Sequence, residues 1–338
     1  MKYPVYIGGY SKNLFRGEFD DTEGTLEILD SIEITSPSYV CLEGDILYGV
    51  SETDKFEKNS GALFSVSVKA DKQMNPISMQ STNGRHPCHL CVRDKYVFAA
   101  NYSEGTLSIF ERNEEGTVEP SHLSLIHYGK GYDPGRQEKA HIHFTAMSPD
   151  GRYLAVCDLG LDKVFLYPYS KENGLSTEAK IIKCPDGYGP RHLVFTKDGK
   201  TIYVLAELSS RILVYEFIDG NINLKQDISI LPENFKGENT AAAIHISPDA
   251  CFVAASNRGH DSVAICKIKE NRTLEKPEYI MTGLVPRDFR YSPCGKWILS
   301  ANQNDDTVTI YSTDKENKKT EKTSVPSPTC VTFGTNNI

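Results

Sequence analysis

One pattern recurs along the chain and limits its possible folds more than any bulk property. The fullest copy is Gly187 to Phe217, GYGPRHLVFTKDGKTIYVLAELSSRILVYEF, with an apolar run, a charged turn, a second apolar run ending in a carboxylate, and an alternating run. Short runs rich in Val, Ile and Tyr and broken by an Asp-Gly turn are strands joined in a hairpin. Further copies read SYVCLEGDILYGVSE, CHLCVRDKYVFAAN, HFTAMSPDGRYLAVCD, IHISPDACFVAASN and DFRYSPCGKWILSAN. The six copies end at Glu52, Asn101, Asp158, Glu207, Asn257 and Asn302, at spacings of 49, 57, 49, 50 and 45 residues. Each is followed by an alternating run such as TLSIF or TVTIY and then by a weaker strand. Four strands per unit at this period predict a propeller blade.

Material remains at both ends. PTCVTFG near the C-terminus matches the start of a unit, and VYIGGY near the N-terminus matches its second strand. A seventh blade assembled from both would hide the sheet edges that six blades leave bare. The expected fold is therefore all-β: one seven-bladed propeller domain over residues 1–338, with four-stranded antiparallel blades and a blade shared by the two chain ends.

In a propeller the first strand of each blade lines the central channel and the second runs back antiparallel to it. Residues that open first strands and residues that close second strands crowd one mouth. Strand starts bring His86, His89, His141, His143, Arg191, His192, His245, Arg287 and Asp288 there. Strand ends bring Glu52, Asn101, Asp158, Glu207, Asn257, Arg258 and Asn302. Arg191 and Glu207, at opposite ends of one hairpin, become neighbours. Polar residues also solvate a channel, and Asn or Asp at a strand end also makes a turn. Hydration does not require six of the nine histidines on one rim, so the set points to a functional site. The SPDG, KDG and SPCG turns fall on the opposite face and are read as folding elements.

A net charge of −8 disfavours nucleic acid and anionic membranes as partners, so an anionic ligand needs a local cluster of cations. No apolar stretch approaches a membrane span, and MKYPVYIGGY has no sustained apolar segment, which leads us to expect a cytoplasmic protein. Nine scattered cysteines, an odd number, fit free thiols in a reducing compartment. Cys88 and Cys91 form a CxxC beside His86 and His89, but no second ligand pair follows and residues three apart on a strand face opposite sides. They are read as buried thiols on an inner strand, with no metal.

The segments HIHFTAMSPDGRYLAVCDLGLDKV, GYGPRHLVFTKDGKTIYVLAELSS, AAIHISPDACFVAASNRGHDSV and VPRDFRYSPCGKWILSANQNDDTV resemble the seven-bladed propeller lactonases. Bacterial members of that family act as 6-phosphogluconolactonases, and fungal carboxymuconate cyclases are related to it. YIGGYS is similar to the family's YxGTYT opening, with Gly9 in place of Thr, and Ala250 stands where the family usually has Gly. The resemblance implies a catalytic set of His143, Arg191, Glu207 and Arg258. It also implies a phosphorylated sugar lactone as substrate in carbohydrate metabolism, with no cofactor. His89, Asn101, His141, Asp158, His192, His245, Asn257, Arg287 and Asn302 complete the expected substrate-binding rim.

Opening a sugar δ-lactone needs a base for the attacking water, and Glu207 or His143 can serve. It needs donors for the oxyanion, which Arg191 or an imidazole supplies, and a forked cation for a phosphate, which suits Arg258 or Arg287. Glu207 can equally be the partner that orients Arg191, and the sequence leaves the two roles open. A metal-dependent lactonase using Glu52 and Asp158 is the rival chemistry, disfavoured by the arginines around it. A scaffold for protein partners is the rival class, disfavoured because the distinctive groups line a channel.

Overall fold

The computed structural model describes residues 1–69, 73–218, 221–314 and 319–334, whose strands form seven antiparallel sheets. Among these residues the only helical turns are two 3-10 segments, Glu57–Asn59 and Leu159–Leu161, and no helix is long and apolar enough to cross a membrane. The inner strands are Pro37–Glu43, Pro87–Arg93, Ile142–Met147, Pro190–Phe195, Thr240–Ile246, Pro286–Tyr291 and Pro328–Phe333. Each begins a sheet that continues outward through three more strands, and the third blade adds a two-residue strand, Gly174–Leu175.

The two ends of the chain meet in one blade. Pro328–Phe333 pairs with Lys2–Gly9, which is followed outward by Asn13–Asp20 and Thr25–Glu33. The expected ring of seven four-stranded blades is thus the observed one; the last four residues, 335–338, lie outside the described residues. Gly9 sits in this seam, where a Cβ would run into the Ser327 carbonyl, so the Thr of the YxGTYT pattern does not fit here without a shift.

Second strands such as YVFAAN, TIYVLA and WILSAN are almost wholly apolar because both faces of a blade pack on neighbouring blades. Between the third and fourth blades lie Phe144, Val164, Leu166, Leu193, Val204 and Leu213. Between the sixth and the closing blade lie Trp297, Leu299 and Ile310 with Val5, Ile7 and Phe19. Burying each such side chain contributes roughly 1.5–3 kcal/mol, so every inter-blade seam is an independent source of stability.

All seven inner strands are irregular at one place. Pairing skips from Pro37 to Tyr39, Pro87 to His89, Ile142 to Phe144, Pro190 to His192, Ala241 to Ile244 and Pro286 to Asp288. In the closing blade the break falls opposite Thr329, between the partners of Pro328 and Cys330. Five of these strands open on proline, which has no N–H to give to the ladder. A bulge re-aims a side chain, and here it lets two consecutive residues address the channel instead of one. On the far face the turns behave as expected. Ser148, Thr196 and Ser247 donate to Asp150, Asp198 and Asp249 at 2.7, 2.6 and 2.5 Å. The following residue has a positive φ, 70° at Gly151, 69° at Gly199 and 58° at Ala250.

Candidate active site at the channel mouth

The bulged positions form a ring: Ser38, Cys88, His143, Arg191, Ala242, Arg287 and Thr329. All but Ala242 line a cavity on the axis, together with Tyr39, His192 and Asp288 from the next position and Glu52 from the first blade. Small residues occupy four of the seven bulges, which leaves His143, Arg191 and Arg287 as its long polar groups. Cys88 gives its thiol to the carbonyls of Ala100, Ile142 and His143, at 3.8, 3.8 and 3.4 Å, and burial pushes its pKa up, so it is not a nucleophile. Cys88 lines the cavity, while Cys91 lies half-buried further along the same strand against the layer between the second and third blades; both are free thiols.

Glu207 is caged by guanidinium groups. Its Oε2 lies 2.9 Å from Arg191 Nε and 3.0 Å from Arg258 Nη2, and its Oε1 accepts from Arg136 Nη2 at 2.6 Å. Burial alone would raise its pKa, but Arg258 and Arg191 outweigh burial and hold the carboxyl well below the usual carboxylate range. It is therefore an anion at every working pH. The Arg191 Nε–H is not aimed at any acceptor, and Arg191 directs Nη1 to the Ala242 carbonyl and to His192 Nε2, the latter at 3.0 Å. Burial, then Arg258 and Arg287, pushes Arg191 down to about 9, still high enough to keep its charge at neutral pH. Arg258 also donates to the Ala241 carbonyl at 2.9 Å.

Arg287 differs from these. Its guanidinium lies over the Tyr10 ring at 5.0 Å, and among the described residues no carboxylate lies within ion-pair distance of it. Tyr10 donates to Glu52 at 2.9 Å. His143 makes no side-chain hydrogen bond among the described residues, and its buried Nδ1 has no partner. Its ring meets Tyr102 edge-on at 5.6 Å and His192 at 5.4 Å. Burial, then the Arg191 charge, holds it well below the usual histidine range, so the imidazole is neutral.

Deeper in the channel stand His89, 3.9 Å from the Tyr39 ring with Nε2 unpartnered, and His245, which accepts from Arg290 and gives Nε2–H to Asp288 at 3.0 Å. His141 stacks on Tyr102 at 4.4 Å, donates to the Tyr102 carbonyl at 3.0 Å and lies 3.2 Å from Glu138.

Four of the expected rim residues turn away from the channel into their blades. Asn101, Asp158, Asn257 and Asn302 pair with the residue just before the bulge of their inner strands, as Ser51 and Ala206 do. Glu52 and Glu207 stand one residue later. Side chains alternate along a strand, so that single step sends the four into their blades. Asn101 donates to Thr106 and Ser108 at 3.0 and 2.9 Å, Asn257 to the Ile230 carbonyl at 3.0 Å, and Asn302 to Thr309 at 2.8 Å. Asp158 takes His127 Nδ1 at 2.7 Å and the His141 amide at 2.9 Å. The later position is held by Tyr10, Tyr102, Arg258 and Gln303 in other blades. Tyr10 and Tyr102, with Arg136 from the loop before Ile142, were missed in the sequence; for the two tyrosines a shift of one residue in the repeat alignment is the signal that finds them.

Among the described residues, no group of three or more His, Cys, Asp and Glu side chains is placed to hold a metal ion. Fold and cavity together define a seven-bladed β-propeller with histidine and arginine side chains on a cavity at one mouth of its channel. Residues 4–333 match the family described as Lactonase, 7-bladed beta-propeller. The chain is 31% identical to a 6-phosphogluconolactonase of Bacillus subtilis (strain 168), over 98% of each chain. The solved structure of a putative 6-phosphogluconolactonase from Bacteroides fragilis is 29% identical and superposes with a TM-score of 0.91, covering 99% of this chain and 98% of that one. A periplasmic gluconolactonase of Pseudomonas aeruginosa is also 29% identical, with a TM-score of 0.91 over 98% of this chain and 99% of that one. The chain belongs to the seven-bladed β-propeller lactonase family, whose enzymes hydrolyse lactone esters.

Proposed function

We propose that the protein hydrolyses a sugar-acid lactone, foremost 6-phospho-glucono-1,5-lactone, to the open-chain acid. The observation that carries this reading is the pairing of a neutral, unpartnered imidazole, His143, with an unpaired guanidinium, Arg287, on one cavity. In this reading a water attacks the acyl carbon and gives its proton to His143; the tetrahedral intermediate then collapses with cleavage of the bond to the ring oxygen, which takes that proton from His143 and leaves as the hydroxyl of the open-chain acid. The negative field of Glu207 favours the imidazolium that forms. Arg191 and Arg287 donate to the oxyanion and then to the product carboxylate. Glu207 holds Arg191 and Arg258 in place and is not the base, because its cage keeps it from accepting a proton. The carboxylates near the mouth are already engaged, Glu207 with three arginines and Asp288 with His245, which supports a reaction without a divalent ion.

The names of the Bacillus and Bacteroides relatives support a phosphorylated lactone, and that of the Pseudomonas protein supports the unphosphorylated one as the second reading. A role in the pentose phosphate pathway, in the cytoplasm, follows from the first. Nine free cysteines, five of them buried, suit that reducing compartment. The test is stopped-flow hydrolysis of 6-phosphogluconolactone and gluconolactone, corrected for spontaneous opening, with and without chelator. Rates no faster than the spontaneous ones reject the proposal, and loss of rate with chelator rejects its metal-free form.

A further inference from the structure

Three guanidinium groups hold Glu207, and they are not equivalent. Arg191 and Arg258 have side chains 3% and 13% exposed and are also tied to the carbonyls of Ala242 and Ala241. Arg136 is 41% exposed and reaches Glu207 from outside the ring of blades, on the loop between His127 and His141. That loop is held at both ends by one carboxylate, Asp158, which takes His127 Nδ1 at 2.7 Å and the His141 amide at 2.9 Å. Within the loop Gln137, fully buried, accepts from the amides of Tyr132 and Asp133 at 3.1 and 2.9 Å and donates to the Leu159 carbonyl at 2.7 Å. The backbone that carries Arg136 is thus fixed, while its side chain, whose guanidinium is shared between Glu207 and Tyr102, is the most exposed of the three.

The charge around the cavity is unbalanced. Arg136, Arg191, Arg258 and Arg287 stand against Glu207 and Glu52, an excess of two positive charges in a protein whose net charge is −8. Asp288 does not reduce the excess, because Arg290 sits 3.7 Å from it. An excess of two cations at a mouth calls for a dianion. Arg191 and Arg287 lie in the cavity where the acyl group reacts, so the cation left for a second anionic group is the exposed one.

We propose that Arg136 is the specificity-determining residue of this site: its guanidinium turns from Glu207 to bind the terminal phosphate of a phosphorylated sugar lactone. The proposal rests on the lactonase reading given above. Glu207 keeps two arginines when Arg136 leaves, so the exchange does not strip the buried carboxylate of partners. A guanidinium meets a phosphate through two parallel N–H groups, which an ammonium cannot reproduce.

The test uses the full chain and three variants, Arg136→Gln, Arg136→Lys and Lys130→Gln, the last an exposed cation on the same loop. The readouts are the ratio of kcat/KM for 6-phosphogluconolactone to that for gluconolactone, and calorimetric binding of 6-phosphogluconate and gluconate. Loss of one charge-assisted contact should lower the ratio and the 6-phosphogluconate affinity by roughly 10- to 100-fold in Arg136→Gln. Arg136→Lys should recover only part of this, and Lys130→Gln should leave the ratio in place. If both lactones lose equally, Arg136 only braces Glu207 and the proposal falls. An unchanged ratio, or one shifted as far by Lys130→Gln, overturns it too. If the wild type hydrolyses neither lactone but still binds 6-phosphogluconate through Arg136, the lactonase reading falls and the anion site stands. Absence of both hydrolysis and binding overturns both.

Discussion

Arg191 Nε lies 2.9 Å from Glu207 Oε2, with both side chains less than 5% exposed. Removing one member of a buried ion pair strands the other, at a cost of roughly 3–5 kcal/mol. Glu207→Gln should therefore destabilise the fold by about that amount and depress kcat/KM, while the acid limb of the pH profile stays in place. The sign of the pH effect follows from the lowered pKa. The stabilisation by Glu207 is fully present above its ordinary value of 4.5 and is lost as pH falls through the lower folded value. Urea denaturation of the variant at neutral pH checks this; a midpoint equal to wild type would show that the cage holds no net stability.

His143 offers the complementary experiment. A neutral base is disabled by protonation, and burial places that protonation well below pH 6.5. The wild-type profile of kcat/KM should be flat through neutrality, with its acid limb well under 6.5. His143→Ala should lower kcat by about 10²–10⁴-fold with a smaller change in KM and should remove the limb. A variant that keeps wild-type kcat and the limb would exclude His143 as the base.

Stability should be acid-sensitive at a higher pH than carboxylates alone would give. His89, His143, His192 and His245 are all pushed by burial below the ordinary histidine value of 6.5. As pH falls through 6.5 the unfolded chain takes up protons there that the folded chain does not, so stability drops from 6.5 downward. Each histidine contributes up to about 1.4 kcal/mol per pH unit until its own folded value is reached. Chemical denaturation at pH 7.5, 6.5 and 5.5 should show little change over the first interval and a clear loss over the second. Equal stability at 6.5 and 5.5 would contradict the buried neutral histidines.

Ala250 has φ 58° in a turn whose counterparts at Gly151, Gly199 and Gly295 have φ of 70°, 69° and 75°. The left-handed region costs a non-glycine residue roughly 1–2 kcal/mol, partly offset by the greater freedom of glycine in the unfolded chain. Ala250→Gly should raise stability by about 0.5–1 kcal/mol with no change in activity, as read by the melting temperature and the lactone assay. A lowered melting temperature would mean that the turn tolerates the Cβ without strain.

The fold was legible in the sequence because each blade repeats one hairpin, and because PTCVTFG and VYIGGY complement each other as half-units. The contact of Arg191 with Glu207 was legible for the same reason, as opposite ends of one hairpin share an edge. What the repeat did not disclose was phase. Asn101 and Glu207 both end apolar runs, yet Asn101 pairs with Pro87 whereas Ala206, not Glu207, pairs with Pro190. In a pleated strand one residue of phase decides between channel and blade interior. The bulges were equally hidden, since His143 and Arg191 look like ordinary strand residues until their neighbours' pairing is known. Arg136 belongs to no repeat and came to the site through a loop whose path only tertiary contacts determine.

The ring of bulges separates chemistry from architecture. Its seven positions hang from backbones fixed by the inter-blade seams, and Ser38, Cys88, Ala242 and Thr329 present little more than a stub to the axis. Ser38, Cys88 and Thr329 line the cavity, and none of the four positions belongs to the hydrophobic layers between Phe144 and Leu213 or between Trp297 and Phe19. The protein can thus be treated as a seven-sector reaction vessel in which three sectors carry long polar side chains and four carry small ones.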